Sequence, residues 1–110
     1  MNALADKKCA PCEGGTQPMT GQVVADQLSE LSNHWENAND KKLVGEFNFD
    51  NYYQTQAFVN AVAYIAHRED HHPDITFGYN SCQIELTTHA IGGLSENDFI
   101  SAAKIDRLID

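Results

Sequence analysis

The sequence predicts an α+β fold, a four-stranded antiparallel sheet with three helices packed on one face, in the order helix, hairpin, helix, hairpin, helix. Three observations predict it. The stretch Leu43 to Phe49, and both halves of Ile75 to Leu86, alternate apolar and polar residues, which is the two-residue period of a half-buried strand. Tyr53 to Asp70 instead places Phe58, Val62 and Ile65 at helical spacing, with Val59, Ala63 and Ala66 beside them. Turn residues separate these segments, and neither an internal repeat nor a composition break divides the chain.

Taken in order, residues 1–19 read as a flexible N-terminal tail rich in glycine, proline and charge, leaving residues 20–110 as a single domain. Thr20 is placed to cap a first helix carrying Val24, Leu28 and Leu31, which stops at Asn33-His34. Trp35 opens a strand that pairs across the turn-like Asn37-Ala38-Asn39-Asp40 with the strand of Leu43, Gly45, Phe47 and Phe49. The second helix must end near Asp70 or His71, because Pro73 biases His72 away from helical geometry. Ile75, Phe77 and Tyr79 form a third strand, Asn80-Ser81 turns the chain, and Cys82, Ile84 and Leu86 form a fourth. After Gly92-Gly93, Ser95 with Asp98 three residues on has capping-box spacing and starts a last helix through Phe99, Ala102, Ala103 and Ile105. So small a core, with a sheet edge to protect, suggests an oligomer, with dimerisation edge to edge or face to face.

Composition narrows the function. The chain of 110 residues is 42% hydrophobic, ordinary for a globular domain, and carries a net charge of −9. Sixteen acids against seven scattered bases repel a phosphate backbone, so no direct nucleic acid binding is expected. Met1 to Pro11 lacks the apolar core of a signal peptide and no apolar run is long enough for a membrane, so a cytoplasmic location is expected. The odd number of cysteines (Cys9, Cys12 and Cys82) argues against a disulfide framework, and Cys9-Ala10-Pro11-Cys12 reads as an incidental pair in the tail.

The chemistry concentrates in Arg68-Glu69-Asp70-His71-His72-Pro73. His67 and His71 share one side of a helix end, and His72 leaves it in another direction. An antiparallel hairpin from Ile75 to Thr88 returns His89 towards His71 and His72, and Asp98 follows just beyond the glycine bend. Imidazoles are suited to moving protons near neutrality, and neighbouring carboxylates fix their tautomers, so the cluster suggests acid–base chemistry. A zinc site built on His67, His71 and His89 is the rival, although Arg68 after His67 breaks the HExxH order. No GxSxG, phosphate-binding loop or dinucleotide fingerprint is present.

Glu69-Asp70-His71-His72-Pro73-Asp74, Tyr79-Asn80, Leu86-Thr87-Thr88-His89 and Gly93-Leu94-Ser95-Glu96-Asn97-Asp98 together resemble the pterin-4a-carbinolamine dehydratase family over roughly residues 20–110. The resemblance implies dehydration of 4a-hydroxytetrahydropterin to quinonoid dihydropterin, recycling the cofactor of aromatic amino-acid hydroxylases. It implies a pterin substrate, a phenylalanine hydroxylase as functional partner, and no metal or bound organic cofactor. It also implies dimers formed through the sheets, with tetramers in some members. A regulatory, dimer-stabilising binding protein is the alternative within that family. The resemblance makes His71, His72, His89 and Asp98 the catalytic set, and Trp35, Glu69, Asp70, Pro73, Thr87 and Thr88 the substrate-binding set. His67 stands where the family motif often has a carboxylate.

Overall fold

The computed structural model describes residues 3–11 and 16–109. Its helices are α1 (Gln22–Leu28), α2 (Tyr52–Glu69) and α3 (Glu96–Asp106). Its strands are β1 (Trp35–Ala38), β2 (Lys42–Asn48), β3 (Asp74–Phe77) and β4 (Ser81–Leu86), in one antiparallel sheet of order β1-β2-β4-β3. Two hairpins are thus joined along β2 and β4, the α+β arrangement expected from the alternating segments. Leu43 pairs with Leu86, Gly45 with Ile84 and Phe47 with Cys82, so all six lie on the buried face. Trp35 pairs with Gly45, and a Cβ there would lie 2.7 Å from the indole, so the glycine makes room for the ring.

Local chemistry explains the element ends. Asn39 and Asp40 both have positive φ, 56° and 58°, as a tight hairpin turn demands, and the Asn37 side chain accepts from the Asp40 amide. Asn51 caps α2 by accepting from the Gln54 amide. Thr55, Phe58, Val62 and Ala66 then face the core at spacings of three and four. Asp70 ends α2 in the left-handed region (φ 51°, ψ 42°), and both its amide and that of His71 donate to the Ala66 carbonyl. Gly21, not Thr20, precedes α1; its φ of 61° suits glycine, and no side chain caps that end. α1 also stops at Leu28, short of the Asn33-His34 expected.

Where a flexible tail over residues 1–19 is expected, the described residues 3–11 and 18–19 pack on the domain. Ala3–Asp6 form a 3₁₀ turn whose Leu4 and Ala5 are buried against the core. Met19 pairs with Leu94, and Pro18 packs on Gly93. The cause lies in α3, where every residue from Asn97 to Asp106 except Lys104 is buried. A helix enclosed on all sides needs a second covering layer besides the sheet, and the N-terminal segment supplies it. Cys12 lies outside the described residues, so the Cys9/Cys12 pair is not described.

Candidate active site

The end of α2, the end of β4 and the start of α3 meet at one cavity of about 350 Å³. Glu69, Asp70, His71 and His72 border it from the α2 side. Thr87, Thr88, His89 and Ala90 border it from beyond β4, and Asn97 from α3. The left-handed Asp70 redirects the chain so that His71 turns inward, while His72 stays exposed. His89 opens a 3₁₀ turn, His89–Ile91, and is also exposed. The chain thus delivers three imidazoles to one concavity, two of them open to solvent.

Asp98 is the fixed point behind them. Its side chain is fully buried, and its Oδ1 lies 2.6 Å from His71 Nε2. Its Oδ2 accepts from Thr88 Oγ1 at 2.9 Å and from the Ser95 amide at 3.0 Å. Each hydroxyl has one proton, so the direction of the network follows: Thr88 gives its proton to Asp98, and Ser95 donates to Thr88 Oγ1 at 2.7 Å. Ser95 Oγ accepts in turn from the Asn97 amide. Asp98 is therefore an acceptor throughout, and His71 donates to it through Nε2–H. In the neutral ring this leaves Nδ1 as the basic nitrogen. The same carboxylate completes the capping box of α3, so helix stability and imidazole orientation share one group.

The N-terminal segment closes the remaining side with Cys9, Ala10 and Pro11. The Cys9 amide donates to Glu69 Oε1 at 2.8 Å, and Lys104 Nζ stands 3.7 Å from Glu69 Oε2. Burial would raise the Glu69 carboxyl, but the Cys9 amide, Lys104 and Lys8 outweigh it and hold the group below its ordinary value. Burial, opposed by the Ser101 hydroxyl, pushes the Cys9 thiol up to about 11. That thiol is therefore neutral at physiological pH and serves as a hydrogen-bonding group, reaching Asn97 O and Ser101 Oγ.

Seven of the ten expected site residues border the cavity; Asp98 stands buried behind His71, and two lie elsewhere. Trp35, expected at the ligand wall, is only 4% exposed, and its indole N–H donates to Asp106 Oδ1 in the core. Gly45 creates the slot that draws it there. Pro73 lies against His71 and Leu86 in a small apolar gap, not on the cavity. Glu69 borders the cavity but is held by the N-terminal segment, and Thr88 is spent on Asp98 and Ser95. His67 is exposed on α2, and among the described residues no group of three or more His, Cys, Asp or Glu side chains is placed to hold a metal ion. Asn97 and the Cys9-Ala10-Pro11 wall were not anticipated. α3 carries Asn97, Asp98, Ser101, Lys104 and Asp106 among its apolar residues, so its composition does not announce that it is covered on every side.

Residues 17–108 match the family model described as pterin 4 alpha carbinolamine dehydratase. A relative from Nitrosospira multiformis, provisionally named pterin-4-alpha-carbinolamine dehydratase, is 62% identical over 105 residues, covering 96% of this chain and 91% of that one. A relative of the same provisional name from Nitrosomonas eutropha is 58% identical over 106 residues, covering 96% and 93%. Among solved structures, a transcriptional coactivator/pterin dehydratase from Brucella melitensis superposes with a TM-score of 0.79 at 24% identity, covering 86% of this chain and 100% of that one, a likeness of fold. A pterin dehydratase-like protein described as a RuBisCO assembly factor in the alpha-carboxysome has a TM-score of 0.61 at 31% identity, covering 69% and 89%.

Proposed function

The chain belongs to the pterin 4 alpha carbinolamine dehydratase family, a family of hydro-lyases, and from that premise we propose that it dehydrates 4a-hydroxytetrahydropterin by histidine acid–base catalysis. The observation that carries this reading is the buried Asp98 gripping His71 at the wall of a cavity that His72 and His89 share. The reaction is redox-neutral. The C4a–O bond breaks, the hydroxyl takes a proton and leaves as water, and N5 loses its proton while its lone pair forms the C4a=N5 bond of quinonoid dihydropterin. One group must donate and another accept, and each transfer is worth roughly 10²–10⁴ in rate. His72 and His89 flank the reacting centre, and His71, held in one tautomer by Asp98, is the third proton-transfer group. Asp70 and Thr87 border the substrate.

The product belongs to the recycling of the reduced pterin used by aromatic amino-acid hydroxylases, with a phenylalanine hydroxylase as the functional partner in the cytoplasm. The working form is a homo-oligomer. The test generates the 4a-carbinolamine in situ with a phenylalanine hydroxylase, in the presence of EDTA, and follows quinonoid dihydropterin. A chelator-resistant acceleration over the spontaneous rate supports the reading, and its absence from folded protein overturns it. A second reading, a binding protein with little catalysis, draws on the alpha-carboxysome neighbour. Stoichiometric capture of a protein partner without turnover favours that one.

A further inference from the structure

We propose that the N-terminal strap, residues 3–11, is a structural wall of the substrate site, with Asn97 as the positioning residue that clasps it in place. This rests on the reading of the cavity as the pterin site. The Asn97 side chain grips the backbone of Ala10 from both sides: Oδ1 accepts from Ala10 N at 3.0 Å, and Nδ2 donates to Ala10 O at 2.6 Å. Asn97 is itself buried at the start of α3, next to the Ser95–Thr88–Asp98 network. One residue away the Cys9 amide is tied to Glu69, the last residue of α2. The strap is thus pinned to α3 and to the segment leading into His71 and His72. Further back, Lys104 Nζ donates to Ala5 O at 2.9 Å, and Arg107 pairs with Asp6 at 2.8 Å.

Most polar groups of the strap beside the cavity are bonded within the protein. Both backbone groups of Ala10 are taken by Asn97, the Cys9 amide by Glu69, and the Cys9 thiol by Asn97 O and Ser101. Pro11 has no N–H. Apart from the Cys9 and Pro11 carbonyls, the strap offers a ligand the Ala10 methyl and the Pro11 ring, an apolar surface of the kind that covers the flat face of a heteroaromatic bicycle. The hydrogen-bonding edge of such a ligand is left to the imidazoles, since the Thr87 hydroxyl already donates to the Lys41 carbonyl at 2.6 Å. A cavity of about 350 Å³ is at the small end of ligand sites, so one wall decides much of its fit.

Two full-length variants test this, both in a Cys12→Ser background so that alkylation of Cys9 reports docking of the strap. Asn97→Ala removes both arms of the clasp. Ala10→Leu leaves the clasp intact, because it uses backbone atoms only, and pushes bulk into the cavity. The expected result is a KM for the carbinolamine raised about tenfold or more in each, with kcat within about threefold of the parent. Cys9 is expected to alkylate faster in Asn97→Ala and at the parental rate in Ala10→Leu. KM unchanged in both variants, with Cys9 freed in Asn97→Ala, overturns the proposal while parental turnover still upholds the dehydratase reading. A parent protein without dehydratase turnover removes that reading and this proposal with it.

Discussion

Asp98 binds His71 with one carboxylate oxygen, at 2.6 Å, and caps its own helix with the other. Asp98→Asn separates the two tasks. The amide oxygen still accepts from Thr88 and the Ser95 amide, so the cap survives. The amide nitrogen then faces His71 Nε2 and can only donate, which forces the ring proton onto Nδ1 and inverts the tautomer. The expected outcome is a kcat lower by about 10²-fold or more, with a stability change of at most about 1 kcal/mol. Steady-state kinetics and urea denaturation of the same preparation check both halves. A variant of full activity shows that the tautomer of His71 has no part in the reaction.

His71 calls for two substitutions. His71→Ala removes the imidazole and also strands a buried carboxylate, so activity and stability fall together, the latter by about 3–5 kcal/mol. His71→Gln offers Asp98 an amide donor in place of the ring. It is expected to lose about 10²–10⁴ in turnover while unfolding close to the parent. Comparing urea midpoints and turnover for the pair separates a proton-transfer role from a packing one.

Trp35 and Gly45 carry a prediction about what the site excludes. A Cβ at position 45 would lie 2.7 Å from the indole, so Gly45→Ala must displace Trp35 and is expected to destabilise by about 1–3 kcal/mol. Because the indole is held in the core by Asp106, KM is expected to stay at the parental value under conditions where the variant remains folded. A rise in KM without loss of stability would return Trp35 to the ligand wall.

These residues also show what was legible in the sequence. Strand alternation and helical spacing are local periodicities, so both hairpins, α2 and the Ser95–Asp98 cap could be read directly. The convergence of His71, His72 and His89 followed from hairpin geometry alone. Trp35 was harder, since whether an aromatic faces core or ligand depends on the strand opposite, and only the pairing with Gly45 reveals the slot. The N-terminal strap was harder still. Its contacts span some ninety positions of sequence, from Cys9 and Ala10 to Asn97 and Ser101, and no periodicity marks a segment that folds by covering another. The Glu69 carboxylate, which reads as a pocket acid, is claimed by that segment.

The Glu69 linkage gives the strap a pH dependence of known sign. Its carboxyl is held below the ordinary value of 4.5, with the Cys9 amide, Lys104 and Lys8 together outweighing burial. A carboxyl with a depressed folded value contributes stability that is complete above the unfolded value and is lost as pH falls through the folded one. Docking of the strap should therefore be constant from neutrality down to about 4.5 and weaken below it. Glu69→Gln still accepts from the Cys9 amide through its amide oxygen but has no charge for Lys104, so its contribution should not change with acid. The check is thermal unfolding of both proteins from neutral pH into the acid range. The gap between them is expected to be widest at neutrality and to close below about 4.5. A gap that stays constant with pH means that the Glu69 charge does not couple to folding, and that the strap is held by the Asn97 clasp and the burial of Leu4 and Ala5.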